Sequence, residues 1–371
     1  MNPFRYGQIV KEDDFCHRPE LEKKLASEIR RGQNLYIQGE RRTGKTSLIF
    51  ETVRKLRRHR IIYIDLLETK TSDGFIKRMV TGAVSIEQSS SLLNKIIQKL
   101  AYLRPVVSMD PISGLPTLTL DASVQLQPDS IPGILDLISS YRLKTRPLVV
   151  VIDEFQDILN LSNAGEVLAQ LRSKIQFQSD IPFLFSGSIR NKMDTLFNDP
   201  DSAFFKSALP IEVGNLDKEL FQTFISEKFS TGKRRISTSV QDQVFEICFN
   251  VAGDIQQFCG ALWETTAHGD SISEEKIPVA LQRIFAHETK GYETILKIVT
   301  GQQLKFLTGL ARTDGFAPTS SVFLKQAGIP QASSAQAILK RLLDLKILFY
   351  YEKEYRFVNP FFRAWLLYKK L

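Results

Sequence analysis

Long apolar runs are missing from this chain of 371 residues. No stretch of about eighteen apolar residues occurs that could cross a bilayer, and the N-terminus lacks the apolar core of a signal peptide. The cysteines, Cys16, Cys248 and Cys259, are too few and too scattered for a disulfide framework or a zinc site. The histidines show no ligand spacing. We therefore expect a cytoplasmic protein without membrane contact, whose thiols are core or incidental residues.

A P-loop pattern occupies residues 39–46, with a short apolar run before it and an amphipathic stretch after it. This order predicts a strand, a phosphate-binding loop and a helix. The glycines let backbone N–H groups turn toward phosphates, Lys45 reaches the β- and γ-phosphate oxygens, and Thr46 binds Mg²⁺. The residues that we expect to bind Mg·ATP here are Gly39, Arg41, Arg42, Thr43, Gly44, Lys45, Thr46 and Ser47.

Two carboxylates, Asp153 and Glu154, follow the apolar run at residues 148–152. Asp153 can hold the Mg²⁺ ion together with Thr46, and Glu154 can polarise the attacking water. An Asp-Glu pair after a strand is also an ordinary helix start. The P-loop about a hundred residues upstream favours the catalytic interpretation, in which Lys45 and Glu154 act on ATP.

A further strand is predicted to end at Ser186 and Ser188, where hydroxyl groups could sense the γ-phosphate, although a plain turn explains these residues equally well. Arg190 follows directly. Together with Arg41 and Arg42 it gives three arginines that could contact phosphate or a neighbouring subunit. For each of them, solvated surface charge is the alternative.

The order of elements predicts an α/β fold with a mostly parallel sheet, because apolar strand segments alternate with stretches long enough for helices. Further predicted strands are 60–65, 148–152, 182–185 and 209–213. Residues 100–130 are interpreted as a β-hairpin insertion. We expect a P-loop core over 1–213, helices without strands over 214–299, and the helix-helix-helix-hairpin order of a winged helix over 300–371.

Several segments together resemble the archaeal-type ATPase family of STAND and AAA+ related P-loop NTPases. They are Phe15-x-x-Arg18-x-Glu20-Leu21, the P-loop with Ser47, Asp153-Glu154-Phe155-Gln156, Ser186-Gly187-Ser188 and Asn359-Pro360-Phe361-Phe362-Arg363-x-Trp365. The resemblance implies an additional-strand P-loop core, a helical lid domain and a C-terminal winged helix. It also implies that Arg18 lies near the adenine.

Positive charge is concentrated in the last quarter of the chain. From Lys297 onward there are twelve basic and four acidic residues, an excess equal to the net charge of +8 of the whole chain. This favours phosphate contacts by the predicted recognition helix and wing, but a winged helix also serves as a protein-docking module. The basic run 54–60 is assigned to a helix end, where cations complement the dipole.

These observations predict an ATPase that acts as a nucleotide-dependent switch with slow or partner-stimulated hydrolysis. It would bind ATP and ADP, assemble with itself or a partner, and contact DNA or a protein through the winged helix. The alternative is a winged-helix DNA-binding protein in which ATP is a structural ligand with negligible turnover.

Overall fold

The computed structural model describes residues 1–85, 105–109, 116–120, 127–143, 145–188, 190–313, 315, 317–351 and 353–369. They form two compact units: Ile9–Gly214, and Met1–Gln8 together with Asn215–Leu371. The predicted lid and winged-helix domains both lie in the second unit apart from residue 214, and the boundary between them stays a prediction. In the described part of the chain, no helix is both long enough and apolar enough to cross a membrane.

The first unit alternates strands with helices. Its elements in chain order are α1 (Pro19–Arg30), β1 (Leu35–Gln38), α2 (Lys45–Lys55), β2 (Arg60–Asp65), α3 (Ser72–Val84), β3 (Pro105–Met109), β4 (Pro116–Leu120), α4 (Ile131–Ser140), β5 (Leu148–Asp153), α5 (Ala164–Ile175), β6 (Phe183–Gly187), α6 (Arg190–Phe197) and β7 (Leu209–Glu212), with 3₁₀ turns at Glu12–Asp14, Pro128–Ser130 and Phe155–Asn160.

Five of these strands form one parallel sheet in the order β2-β5-β6-β1-β7. Strand β6 lies between the P-loop strand β1 and the strand β5 that ends at Asp153. This is the additional-strand arrangement, and it confirms the predicted fold class. Because all five strands are parallel, their carboxyl ends meet at one edge of the sheet.

Helices cover both faces of this sheet, so its central strands need apolar residues at successive positions rather than alternate ones. Strand β5 is buried throughout. Its residues Val149 and Val151 pack with the core formed by α1 and α2, whereas Val150 and Ile152 pack with the core formed by α3, α4 and α5. The helix that follows the P-loop is therefore anchored on one face by the strand that carries Asp153.

The predicted hairpin insertion is represented by β3 and β4. These strands pair antiparallel, from Pro105 opposite Leu120 to Met109 opposite Pro116, as a hairpin requires. The remaining residues of the predicted insertion before position 127 lie outside the described residues.

The second unit is mainly helical. Its elements are α7 (Lys218–Ser230), β8 (Arg235–Ile236), α8 (Thr238–Ile247), α9 (Ala252–Thr265), β9 (Ser271–Ile272), α10 (Lys276–Ile298), α11 (Gly301–Ala311), α12 (Ser321–Ala327), α13 (Ala332–Asp344), β10 (Leu348–Tyr351), β11 (Glu354–Phe357) and α14 (Pro360–Lys369). The expectation that strands stop after residue 213 is wrong for β8 and β9, which pair in parallel. Strands of two residues are too short to show a period of two.

The last part of the unit has the winged-helix order of three helices and a hairpin. Helix α13 buries Ile338, Leu339 and Leu342 against the rest of the domain. The segment that begins at Asn359 is structural: its side chain caps α14 by accepting from the backbone of Phe361 and donates to Glu288 on α10 at 2.7 Å. These bonds tie α14 to the long helix of the same unit.

Candidate nucleotide site

The loop between β1 and α2 needs glycine at two positions for different reasons. A Cβ atom on Gly39 would lie 2.2 Å from the carbonyl oxygen of Val213, so no larger residue fits against β7. Gly44 has a φ of +90°, which glycine adopts without strain, and it directly precedes α2. The hydroxyl of Thr43 donates to the carbonyl of Glu40 at 2.9 Å and braces the loop. The loop geometry thus follows from its sequence.

Lys45 lies inside this loop, with only 7% of the residue exposed. Its Nζ donates to the carbonyl oxygens of Gly39 at 3.0 Å and Glu40 at 2.8 Å. Burial lowers the pKa of Lys45, and the nearby carboxylates of Glu154 and Asp153 oppose that shift. An ammonium group has three donor hydrogens, so the loop carbonyls engage two and a phosphate oxygen can take the third.

The predicted metal ligands, Thr46 and Asp153, meet at the carboxyl edge of the sheet. The Thr46 hydroxyl donates to Asp153 Oδ2 at 2.7 Å. Hydroxyl and carboxylate oxygens are ligands that Mg²⁺ prefers, so this pair suits the predicted ion.

Tyr63 also belongs to this cluster, and sequence analysis missed it. Its phenol donates to the same Asp153 oxygen at 2.8 Å. Burial and the Asp153 carboxylate raise the pKa of Tyr63 well above its ordinary value, so the phenol stays a neutral donor. The available signal was a tyrosine in the otherwise aliphatic end of β2.

Glu154 adopts a left-handed conformation with a φ of +50°, which is strained for a residue with a side chain. Its carboxylate oxygen Oε2 accepts hydrogen bonds from the Ser188 hydroxyl at 2.9 Å and from the Gln156 amide. Gln156 belongs to the segment Asp153-Glu154-Phe155-Gln156, but the sequence alone indicated no role for it. The structure therefore joins Ser188 to Glu154 but leaves a phosphate-sensing role for it untested.

Ser186 lies at the end of β6 and is completely buried. It is opposite Ile37 of the P-loop strand in the sheet register. Among the described residues its hydroxyl has no hydrogen-bond partner. A phosphate-sensing role for Ser186 stays a prediction.

Comparison with known proteins places this geometry in a family. Residues 29–191 match the family model of the AAA domain, and residues 290–368 match a model described as "Probable winged helix domain". No curated protein matches the chain. This chain has a P-loop core of the AAA type and a C-terminal winged helix. The predicted arrangement, a P-loop core followed by a C-terminal winged helix, is confirmed.

Solved structures share the fold of this chain. A Walker-type ATPase of Pyrococcus abyssi has a TM-score of 0.67 and 15% identity, over 98% of this chain and 99% of that one. The ORC2 protein of Aeropyrum pernix, in its ADPNP-ADP complexes, has a TM-score of 0.51 and 13% identity, over 95% of this chain and 93% of that one. At such identities the likeness concerns the fold alone.

Arg18 contacts the P-loop backbone. Its guanidinium donates to the carbonyl of Thr43 at 2.7 Å and to that of Gly214 at 2.6 Å. Burial lowers the pKa of Arg18 to about 10. The residue thus links the segment before α1 to the P-loop and to the residues after β7, and the implied adenine contact stays a prediction.

The other predicted site residues differ in their surroundings. The Ser47 hydroxyl accepts from the backbone N–H of Val10 at 3.1 Å, which gives this side chain a structural partner. Arg41 and Arg42 are exposed. Arg190 begins α6, and its side chain lies outside the described part of the chain. Roles for all four in nucleotide binding or subunit contact stay predictions.

The winged helix exposes cations on α13 and on its wing, and we call these residues the cation surface. Lys340 and Arg341 on α13 and Lys353 between the wing strands are exposed. Arg356 differs, since its side chain is 15% exposed, bonds Glu354 at 3.0 Å and stacks over the ring of Tyr351. The guanidinium of Arg356 thus has partners within the wing.

Proposed function

We propose that this chain binds Mg·ATP at the P-loop and hydrolyses it to ADP and phosphate. The contact between Thr46 and Asp153 carries the proposal, because it joins the P-loop to the acidic strand end at hydrogen-bonding distance. These two residues would hold Mg²⁺, which supplies positive charge that neutralises the phosphates. Lys45 orients the β- and γ-phosphates, and Glu154 directs the attacking water.

Hydrolysis on this proposal is slow, and the protein works as a nucleotide-dependent switch of the STAND type. The support is the state of Glu154, whose Oε2 already accepts from Ser188 and Gln156. A water molecule has to compete with these donors before the carboxylate can accept its proton. A partner that moves either donor would speed the reaction.

The switch includes self-assembly in the ATP state, with Arg41, Arg42 or Arg190 reaching the phosphates of a neighbouring copy. The exposure of Arg41 and Arg42 on the P-loop supports this part. An arginine supplied by a partner contributes about a thousandfold or more in related reactions. An alanine variant of one of these arginines, mixed with Lys45→Ala protein, should regain ATPase activity. If mixed oligomers form and no activity returns, each nucleotide site is complete within one chain.

The winged helix contacts DNA on this proposal, through the phosphate backbone. Its support is the exposed cation surface of Lys340, Arg341 and Lys353. Docking of a protein partner is the competing outcome. Wild-type protein that binds no duplex in either nucleotide state would favour it.

The ATPase proposal is tested with Lys45→Ala and a matched control, Lys24→Ala, which removes an exposed lysine from α1 of the same unit. Calorimetry should show loss of Mg·ATP binding in Lys45→Ala alone, and phosphate release should stop with it. Equal affinity in both variants would contradict the site. ATP that binds to wild-type protein without any phosphate release would favour ATP as a structural ligand.

A further inference from the structure

A cavity lined mainly by basic residues lies at the edge of the sheet where the strands begin. It has a volume of about 550 Å³ and opens where α2 ends and where β2 and β5 begin. We call it the basic cavity, and it is lined by Arg57, Arg58, His59, Arg60, Thr145 and Arg146. The P-loop follows the carboxyl end of β1, so the basic cavity is separate from the nucleotide site.

Backbone contacts fix the chain around the basic cavity. The N–H of Arg60 donates to the carbonyl of Pro147 at 2.9 Å, and its guanidinium donates to the carbonyl of Tyr141. Arg57 turns the chain after α2 with a φ of +53°. On the other side, Arg146 forms an antiparallel bridge with Leu143. The arginines thus lie in the turns before β2 and β5, and backbone hydrogen bonds fix the conformation of these turns.

Among the described residues, the lining of the basic cavity contains four arginines and no carboxylate, so the lining does not balance its own charge. Nearby arginines do have acidic partners: Arg54 pairs with Glu51 and Arg142 with Asp180. Within the described part of the chain, no ion pair joins a carboxylate to Arg57, Arg58 or Arg146.

The partial negative charge at the C-terminus of α2 is too small to account for this many arginines. The C-terminus of α2 offers the equivalent of only about half a negative charge, against four guanidinium groups. Arg57, Arg58 and Arg146 are exposed, so an anion can reach their guanidinium groups from solvent.

We propose that the basic cavity binds an anion with two or more phosphate groups. Guanidinium groups present planar pairs of N–H donors that match phosphate oxygens, and a cavity of this volume accommodates a small ligand or a short stretch of chain. Free polyphosphate and the backbone of single-stranded nucleic acid share this chemistry. The experiment below separates these two sources.

The test uses the full chain with Lys45→Ala throughout, so that the P-loop does not bind the phosphate probe. In this parent, the cavity variant combines Arg57→Asn, Arg58→Gln and Arg146→Gln; asparagine suits the left-handed position. The matched control combines Lys23→Gln, Lys24→Gln and Lys70→Gln, which removes the same charge from exposed positions of the same unit.

Calorimetry with tripolyphosphate should show an affinity at least tenfold weaker in the cavity variant than in the control. A thymidine oligonucleotide is the second probe, and any binding by the winged helix is common to both variants. Weakening with both probes, with a salt slope flatter by about 0.7 per lost contact, identifies a nucleic-acid backbone. Weakening with tripolyphosphate alone identifies a free polyphosphate.

Equal affinities of the cavity variant and the control for both probes would overturn the proposal. So would a Lys45→Ala parent that binds neither probe. Thermal unfolding checks that both variants are folded, and Arg58→Gln alone gives the same comparison if the triple variant does not fold. Because the parent already lacks Lys45, the result is independent of the proposed ATPase activity.

Discussion

The nucleotide site and the cation surface of the winged helix use charged residues in opposite surroundings. At the nucleotide site, Lys45 and Asp153 are almost completely buried and have partners at 2.7–3.0 Å. On the winged helix, Lys340, Arg341 and Lys353 are exposed. Desolvation makes an unpaired buried charge costly, whereas an exposed charge needs no partner. At the nucleotide site, the contacts of each residue therefore indicate its role. On the winged helix, only the summed charge of the exposed residues indicates a role.

The comparison also ranks the effects of substitutions. A buried group that acts on the reacting atoms works in a low-dielectric site, so its removal should change the rate by orders of magnitude. Exposed cations act additively through phosphate contacts that salt screens. The following variants test this ranking, from the largest expected change to the smallest.

Glu154→Gln should reduce ATP turnover by about a hundred- to ten-thousandfold and leave Mg·ATP binding in place, because the amide keeps the shape but cannot accept the proton of water. Phosphate release and calorimetry measure the two properties separately. Glu20→Gln, on the exposed start of α1, is the control. If Glu154→Gln turns over ATP as fast as the wild type, Glu154 has no catalytic role. The expected difference in effect between buried and exposed charges would then be smaller.

Sequence patterns predicted the sheet strands, the P-loop and the acidic strand end because each of these depends on local chemistry. Tyr63 was missed because its role arises only when two separate strands meet: it reaches Asp153 from β2. Gln156 was missed because its contact with Glu154 accompanies the left-handed turn at Glu154, which the sequence pattern does not indicate. The basic run after α2 was assigned to a helix end. The basic run and Arg146 line the same cavity because β2 and β5 are neighbours in the sheet, and the sequence alone does not reveal this strand order.

The cation surface is tested by Lys340→Ala, Arg341→Ala and Lys353→Asn together. Affinity for duplex DNA should weaken, and the slope of log affinity against log salt should flatten by about one unit for each lost contact. The control removes Lys297, Lys305 and Lys325, which are exposed on α10, α11 and α12. An equal loss in both variants would mean that the overall charge matters rather than this surface.

Tyr63→Phe tests a supporting residue of the buried site. The ring stays packed beside Phe50, but Asp153 loses one of its donors. We expect the Mg²⁺ concentration for half-maximal turnover to rise roughly tenfold, as for other groups that orient metal ligands. Tyr36→Phe, which removes a hydroxyl bonded to Asn198 at 3.4 Å, is the control. An unchanged Mg²⁺ requirement would limit Tyr63 to packing.

Glu51→Gln should have the smallest effect on activity, although this carboxylate is completely shielded from solvent. It accepts from Arg54 at 2.7 and 2.9 Å and from the backbone N–H of Glu12 at 3.2 Å, so its partners are structural. The substitution should lower the Tm at pH 7 by a few degrees and leave turnover per folded molecule unchanged.

The pH dependence of the Tm difference between wild type and Glu51→Gln tests whether the charge of Glu51 causes it. The hydrogen bond from Arg54 holds the pKa of Glu51 below its ordinary value. A carboxylate with a lowered folded-state pKa stabilises the fold fully above the unfolded pKa, about 4.3, and loses that contribution as the pH falls through the folded value. The Tm difference between wild type and Glu51→Gln should therefore shrink below about pH 4. A constant difference from pH 7 to pH 3 would assign the effect to packing, and a fall in turnover at pH 7 would show that a buried charge outside the nucleotide site also serves the reaction.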